Sequence, residues 1–94
     1  MDMRRLVGRN VRRIRLEKGL TQEAFAERSG FSQQYLSSLE RGTRNPTVVT
    51  LFELASALGV SHVVLVEPDG EVEAAQPMRR GGRRTVNTGK RADG

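Results

Sequence analysis

Gln33 and Gln34 stand one helical turn before Ser37 and Ser38 in the stretch SQQYLSSLERG, residues 32–42. Leu36 and Leu39, three apart, mark the side of that turn that would be buried, leaving the four polar residues outward. A glutamine amide holds a donor and an acceptor in one plane. That pattern complements N6 and N7 of adenine in the major groove of DNA, and one good bidentate pair is worth about 1–3 kcal/mol of discrimination. The plainer reading is two solvated glutamines near a helix start. Ser37 and Ser38 are shorter and are weaker base-contact candidates.

Such side chains need a rigid support, and the chain predicts one. Residues 4 to 18 read as a helix, with Val7, Val11 and Ile14 on one face and arginines over much of the rest. Gly19 suits its end. Thr21 is a good N-cap for a second helix reaching about Ser29, with Phe25 and Ala26 inward. Gly30 fits the turn that follows. Ser32 caps a third helix, to about Arg41, which carries the glutamines and serines. Gly42 ends it, and TRNPT, residues 43–47, is a loop broken by Asn-Pro. Thr47 caps a fourth helix, in which Leu51, Leu54, Ala55 and Leu58 give the clearest helical period of the chain. Gly59 closes it. SHVVLV, residues 61–66, is β-branched, but a lone strand would have no partner within four helices. A short fifth helix capped by Ser61 is preferred.

The expected fold is therefore all-α: a compact bundle of four to five short helices over residues 1–67, followed by a flexible basic tail over 68–94. The tail has five glycines, two prolines and few large apolar residues, too little to offset its chain entropy. With 94 residues and 36% hydrophobic content there is material for one small core. A domain of this size is marginal alone, so dimerisation would add stability.

The net charge is +5, spread as +3 over residues 1–67 and +2 over 68–94. An excess of Lys and Arg serves solubility or attraction to a polyanion, and the charge alone does not choose. There is no cysteine and a single histidine, His62. Disulfides, thiolate catalysis and cysteine- or histidine-cluster metal sites are excluded. No apolar run reaches signal-peptide or membrane-spanning length, so a cytoplasmic location is expected, with no membrane partner.

Beyond these readings, LTQEAFAERSG, FSQQYLSSLERG and RNPTVVTLFELASALGV together resemble the Cro/CI-type helix-turn-helix family, also called XRE-like or lambda-repressor-like. The resemblance covers residues 5 to 66. Ala26 is small where the recognition helix would cross, Gly30 stands where the chain reverses, and Leu36 and Leu39 would pin that helix from behind. Ser29 departs from the pattern, because the family often carries an apolar residue there; Phe31 supplies bulk two positions on.

The resemblance implies double-stranded DNA as partner and a role for further residues. Gln22 would bond a phosphate and brace Gln33. Arg44 and Asn45 would lie along the DNA backbone, positioning the protein without reading sequence. Arg41 and Arg9 are further phosphate candidates, with solvated surface arginines as the equal alternative. Arg15 and Glu40 would form a structural ion pair. Tyr35 is expected to pack, with a partial role at the interface edge, and His62 to lie at the surface or at an interface.

A transcriptional regulator, a repressor acting as a homodimer on a palindromic operator, is the leading expectation. Its dimer surface would come from Leu58, Val60, Val63, Val64 and Val66. The alternative is a protein-interaction module, such as an antitoxin with autoregulatory DNA binding, whose protein partner would engage the tail or the C-terminal apolar patch. MRRGGRR, residues 78–84, serves equally as a phosphate-binding arm or a solubilising tail. An enzyme is not expected: no nucleophile–base pair, phosphate loop or metal cluster is present, and neither a cofactor nor a small-molecule ligand is implied.

Overall fold

A computed structural model of the chain describes residues 1–69. They form five helices, and no strand is found among them: α1 (Met3–Glu17), α2 (Gln22–Ser29), α3 (Gln33–Glu40), α4 (Val48–Leu58) and α5 (Val63–Val66). Four of the starts are fixed by a side-chain oxygen that accepts from the first turn. Asp2 accepts from the Arg4 amide at 3.1 Å. Thr21, Ser32 and Thr47 accept from the amides of Ala24, Tyr35 and Thr50, each at 3.0 Å. Each bond satisfies an otherwise orphaned helix donor. Helix α5 starts at Val63, two residues after Ser61, whose hydroxyl accepts from the Val63 amide at 3.2 Å.

The core gathers one stripe from every helix: Val7, Val11 and Ile14 of α1, Phe25 of α2, Leu36 and Leu39 of α3, Leu54, Ala55 and Leu58 of α4, and Leu65 of α5. Helix α1 packs on α3 and α5, while α2 packs on α3 and α4. Helix α3 is thus held on two sides. Leu58, expected on a dimer surface, lies in this core at 1% exposure, because it continues the buried α4 stripe.

Two glycines set the approach of α1 to α3. A Cβ at Gly8 would lie 2.5 Å from the Leu39 carbonyl oxygen and 2.8 Å from that of Glu40. The helices therefore meet backbone to backbone. Gly42, just past α3, has φ +82°, and a Cβ there would meet Arg5 Cγ at 2.8 Å. A side chain at either place would push α3 away.

The chain beyond α5 is tied to α1. Asn10 is fully buried, and its amide nitrogen donates to the carbonyls of Leu65 and Glu67, both at 2.9 Å. Arg9 donates to the Asp69 carboxylate at 2.6 Å. The remainder of the expected tail, residues 70–94 with MRRGGRR, lies outside the described residues.

Candidate nucleic-acid interface

Helix α3 is pinned by Leu36 and Leu39, each fully buried, so its opposite face is fixed outward. Gln33 and Gln34 are exposed on the first turn of that face. Ser37 and Ser38 follow, half-buried, with both hydroxyls engaged. Arg41 donates from Nη1 to Ser37 Oγ at 2.6 Å and from Nη2 to Ser38 Oγ at 3.3 Å. The helix has one acidic residue, Glu40, and its side chain is turned inward at 4% exposure. The outward face thus presents amides, hydroxyls and a guanidinium, with no carboxylate to repel a phosphate backbone.

Glu40 is the hub behind α3. Arg15 donates from Nε to Oε2 at 2.6 Å and from Nη2 to Oε1 at 3.1 Å. A third donation, from Arg15 Nη1, reaches the Leu20 carbonyl at 2.7 Å. Gln22 Nε2 donates to Glu40 Oε1 at 3.1 Å. Gln22 is therefore placed on Glu40, and no hydrogen bond joins it to Gln33. A buried carboxylate needs several donors, and the side chain at the start of α2 is within reach to supply one. One amide N–H of Gln22 remains for an outside acceptor.

The loop after α3 is built onto the helix. Thr43 donates from its backbone amide and its hydroxyl to the Ser38 carbonyl, at 3.1 and 2.9 Å. Arg44 lies over the Tyr35 ring at 5.2 Å, a cation–π contact, and Tyr35 is stacked on Phe31 with centroids 5.2 Å apart. Phe31 in turn packs against the core, and its amide donates to the Ser29 hydroxyl at 3.2 Å. The stack aligns Arg44 beside the start of α3, where Gln33 and Gln34 stand. Asn45 is exposed in the same loop. Arg9 stands apart on α1 with Asp69 as its partner.

Sequence reasoning placed Val63 on an apolar surface but missed the part of that surface that α4 contributes. Val48, Val49, Phe52 and Val63 are 80%, 65%, 58% and 49% exposed. The first three share one side of α4, and Phe52 meets the His62 ring at 6.2 Å, which joins them to α5. The available signal was apolar residues falling outside the Leu51–Leu54–Ala55–Leu58 stripe. Val60, Val64 and Val66 are partly buried against the core. Among the described residues no cluster of three metal-ligating side chains occurs, and no helix is long and apolar enough to cross a membrane.

The family model described as Helix-turn-helix, HTH_3, matches residues 11–65. An uncharacterised HTH-type transcriptional regulator, y4dJ of Sinorhizobium fredii, is 75% identical over 71 residues, covering 76% of this chain and 92% of that protein. The crystal structure of a hypothetical transcription factor, NHTF from Neisseria, superimposes with a TM-score of 0.70 at 32% identity. That match covers 80% of this chain and 86% of the other. The restriction-modification controller protein C.Esp1396I, a tetramer in complex with its natural 35 base-pair operator, matches with a TM-score of 0.64 at 38% identity. Here the coverage is 69% and 86%.

Proposed function

The chain belongs to the helix-turn-helix family of transcriptional regulators, and from that premise we propose that it is a sequence-specific repressor binding a palindromic operator as a homodimer. The observation that carries this reading is the outward face of α3: Gln33 and Gln34 on a helix pinned by Leu36 and Leu39, with no carboxylate exposed beside them.

In this reading the first turn of α3 enters the major groove, where one or both glutamines pair with adenine edges. Arg44 and Asn45, in the adjoining loop, meet the phosphate backbone, and the free N–H of Gln22 takes a phosphate at the start of α2. These contacts set register, and the α3 side chains sort sequences.

One recognition helix reads only a few base pairs, so a second copy supplies the rest. The proposed dimer surface is Val63 together with Val48, Val49 and Phe52, the large apolar side chains that α4 and α5 leave in water. The operator-bound tetramer of C.Esp1396I supports repeated copies on one duplex. A bound dimer then represses by occluding polymerase. Enrichment of a random duplex pool on the purified chain tests the proposal: a palindromic consensus is expected, and a single half-site bound by a monomer would refute the dimer.

A further inference from the structure

We propose that Arg41 reads a guanine in the operator, with Ser37 and Ser38 acting as positioning residues that aim it. The inference rests on the DNA-binding reading above and assigns a base-reading role that spacing alone gave to the serines.

Helical phase places Arg41 on the reading face. At 3.6 residues per turn, residues seven apart fall within about 20° of each other. Arg41 therefore stands on the line of Gln34, opposite the buried side of Leu36 and Leu39. Ser37 and Ser38 flank that line.

The side chain folds back along the helix. Its two terminal nitrogens reach the hydroxyls three and four residues earlier, at 3.3 and 2.6 Å. A planar group held at two points cannot rotate freely. The fold-back moves the guanidinium about one turn, ~5.4 Å, toward the start of α3. An unanchored arginine at this end of the helix would instead extend toward the flanking phosphates. Gln34 and Arg41 lie ~10.5 Å apart along the axis. After the fold-back, the guanidinium lies one to two base-pair steps from the Gln34 position, at ~3.4 Å per step.

The donor inventory fits a guanine. The guanidinium has five N–H groups and gives two to the serines, so three remain to donate. A guanidinium fork matches O6 and N7 of guanine, the commonest specific major-groove contact. Each serine accepts from Arg41 and keeps its own O–H to donate. No carboxylate among the described residues competes: Glu40, the adjacent acid, is committed to Arg15 and Gln22.

The test is selection from a random duplex pool with the full chain, wild type and variants, followed by affinity measurements at several salt concentrations. Wild type is expected to enrich a G·C pair one to two steps from an A·T pair in each half-site. Arg41→Ala loses discrimination at that G·C pair by on the order of tenfold to hundredfold, and keeps the A·T pair. Arg41→Lys does not restore it, because an ammonium lacks the planar fork. Ser37→Ala with Ser38→Ala weakens the same G·C position and adds nothing in the Arg41→Ala background.

A uniform loss of affinity across sequences in Arg41→Ala, with a shallower salt slope and an unchanged consensus, makes Arg41 a phosphate contact and overturns the proposal alone. Failure of the wild type to enrich any consensus overturns the DNA-reading account itself, and this proposal with it.

Discussion

Arg15 of α1 grips both carboxylate oxygens of Glu40, the last residue of α3, at 2.6 and 3.1 Å. The side chains are 8% and 4% exposed. This contact ties the end of the recognition helix to the first helix, and Gln22 extends it to α2.

Removing one partner leaves a buried charge without its counterion, which costs roughly 3–5 kcal/mol. Arg15→Ala or Glu40→Ala is therefore expected to lose most of the stability of so small a domain. Replacing both by apolar residues of similar volume, Arg15→Met with Glu40→Leu, is expected to recover much of it. Urea unfolding of the two single variants and the double variant checks this. Equal, near-zero effects of the single changes would show that the pair contributes little.

Gly8→Ala is expected to destabilise, against the usual gain of ~1 kcal/mol for alanine over glycine in a helix. The added methyl would strike the carbonyls of Leu39 and Glu40, which are backbone and cannot turn aside. Overpacking of this kind costs about 1–3 kcal/mol. Because the yielding element is α3, operator affinity falls further than the loss of folded protein explains. A variant more stable than wild type would show that α1 and α3 can part freely.

The apolar surface of α4 and α5 predicts self-association. Phe52→Arg and Val63→Glu are expected to leave the fold intact, since both side chains are about half or more exposed. Sedimentation should show these variants as monomers at concentrations where wild type is dimeric. Wild type sedimenting as a monomer at high micromolar concentration, with and without operator, contradicts the proposed interface.

Salt dependence reports the phosphate contacts. A dimer making on the order of 8 such contacts should give a log–log slope of about −7. Arg44→Ala, one contact per subunit, should make the slope shallower by about 2 without altering the preferred sequence. A changed consensus with an unchanged slope would move Arg44 from the backbone to a base.

The helices were legible because their signals are local. Thr21, Ser32 and Thr47 cap the helices they were expected to cap, and the stripe from Leu54 to Leu58 is buried. The start of α5 was blurred because four β-branched or aliphatic residues have no clear helical period. Of the contacts between elements, the family resemblance supplied the Arg15–Glu40 pair, but others were not legible. Asn10 reads as one more polar residue in an arginine-rich helix until Leu65 and Glu67 are brought over it. Gln22 reads as a phosphate ligand that braces Gln33, and nothing in its spacing shows that one of its amide N–H groups goes to Glu40. Nothing in the spacing of Ser37 and Ser38 shows that Arg41 turns back onto their hydroxyls.

The central claim is that α3 sorts base sequence through its amides. The most direct measurement is enrichment of a random duplex pool on wild type and on Gln33→Ala with Gln34→Ala, together with a thermal melt of each. The expected result is a wild-type consensus with an adenine in each half-site, loss of preference at one or two of its base pairs in the variant, and matching melts. An identical consensus and affinity in the variant would contradict it.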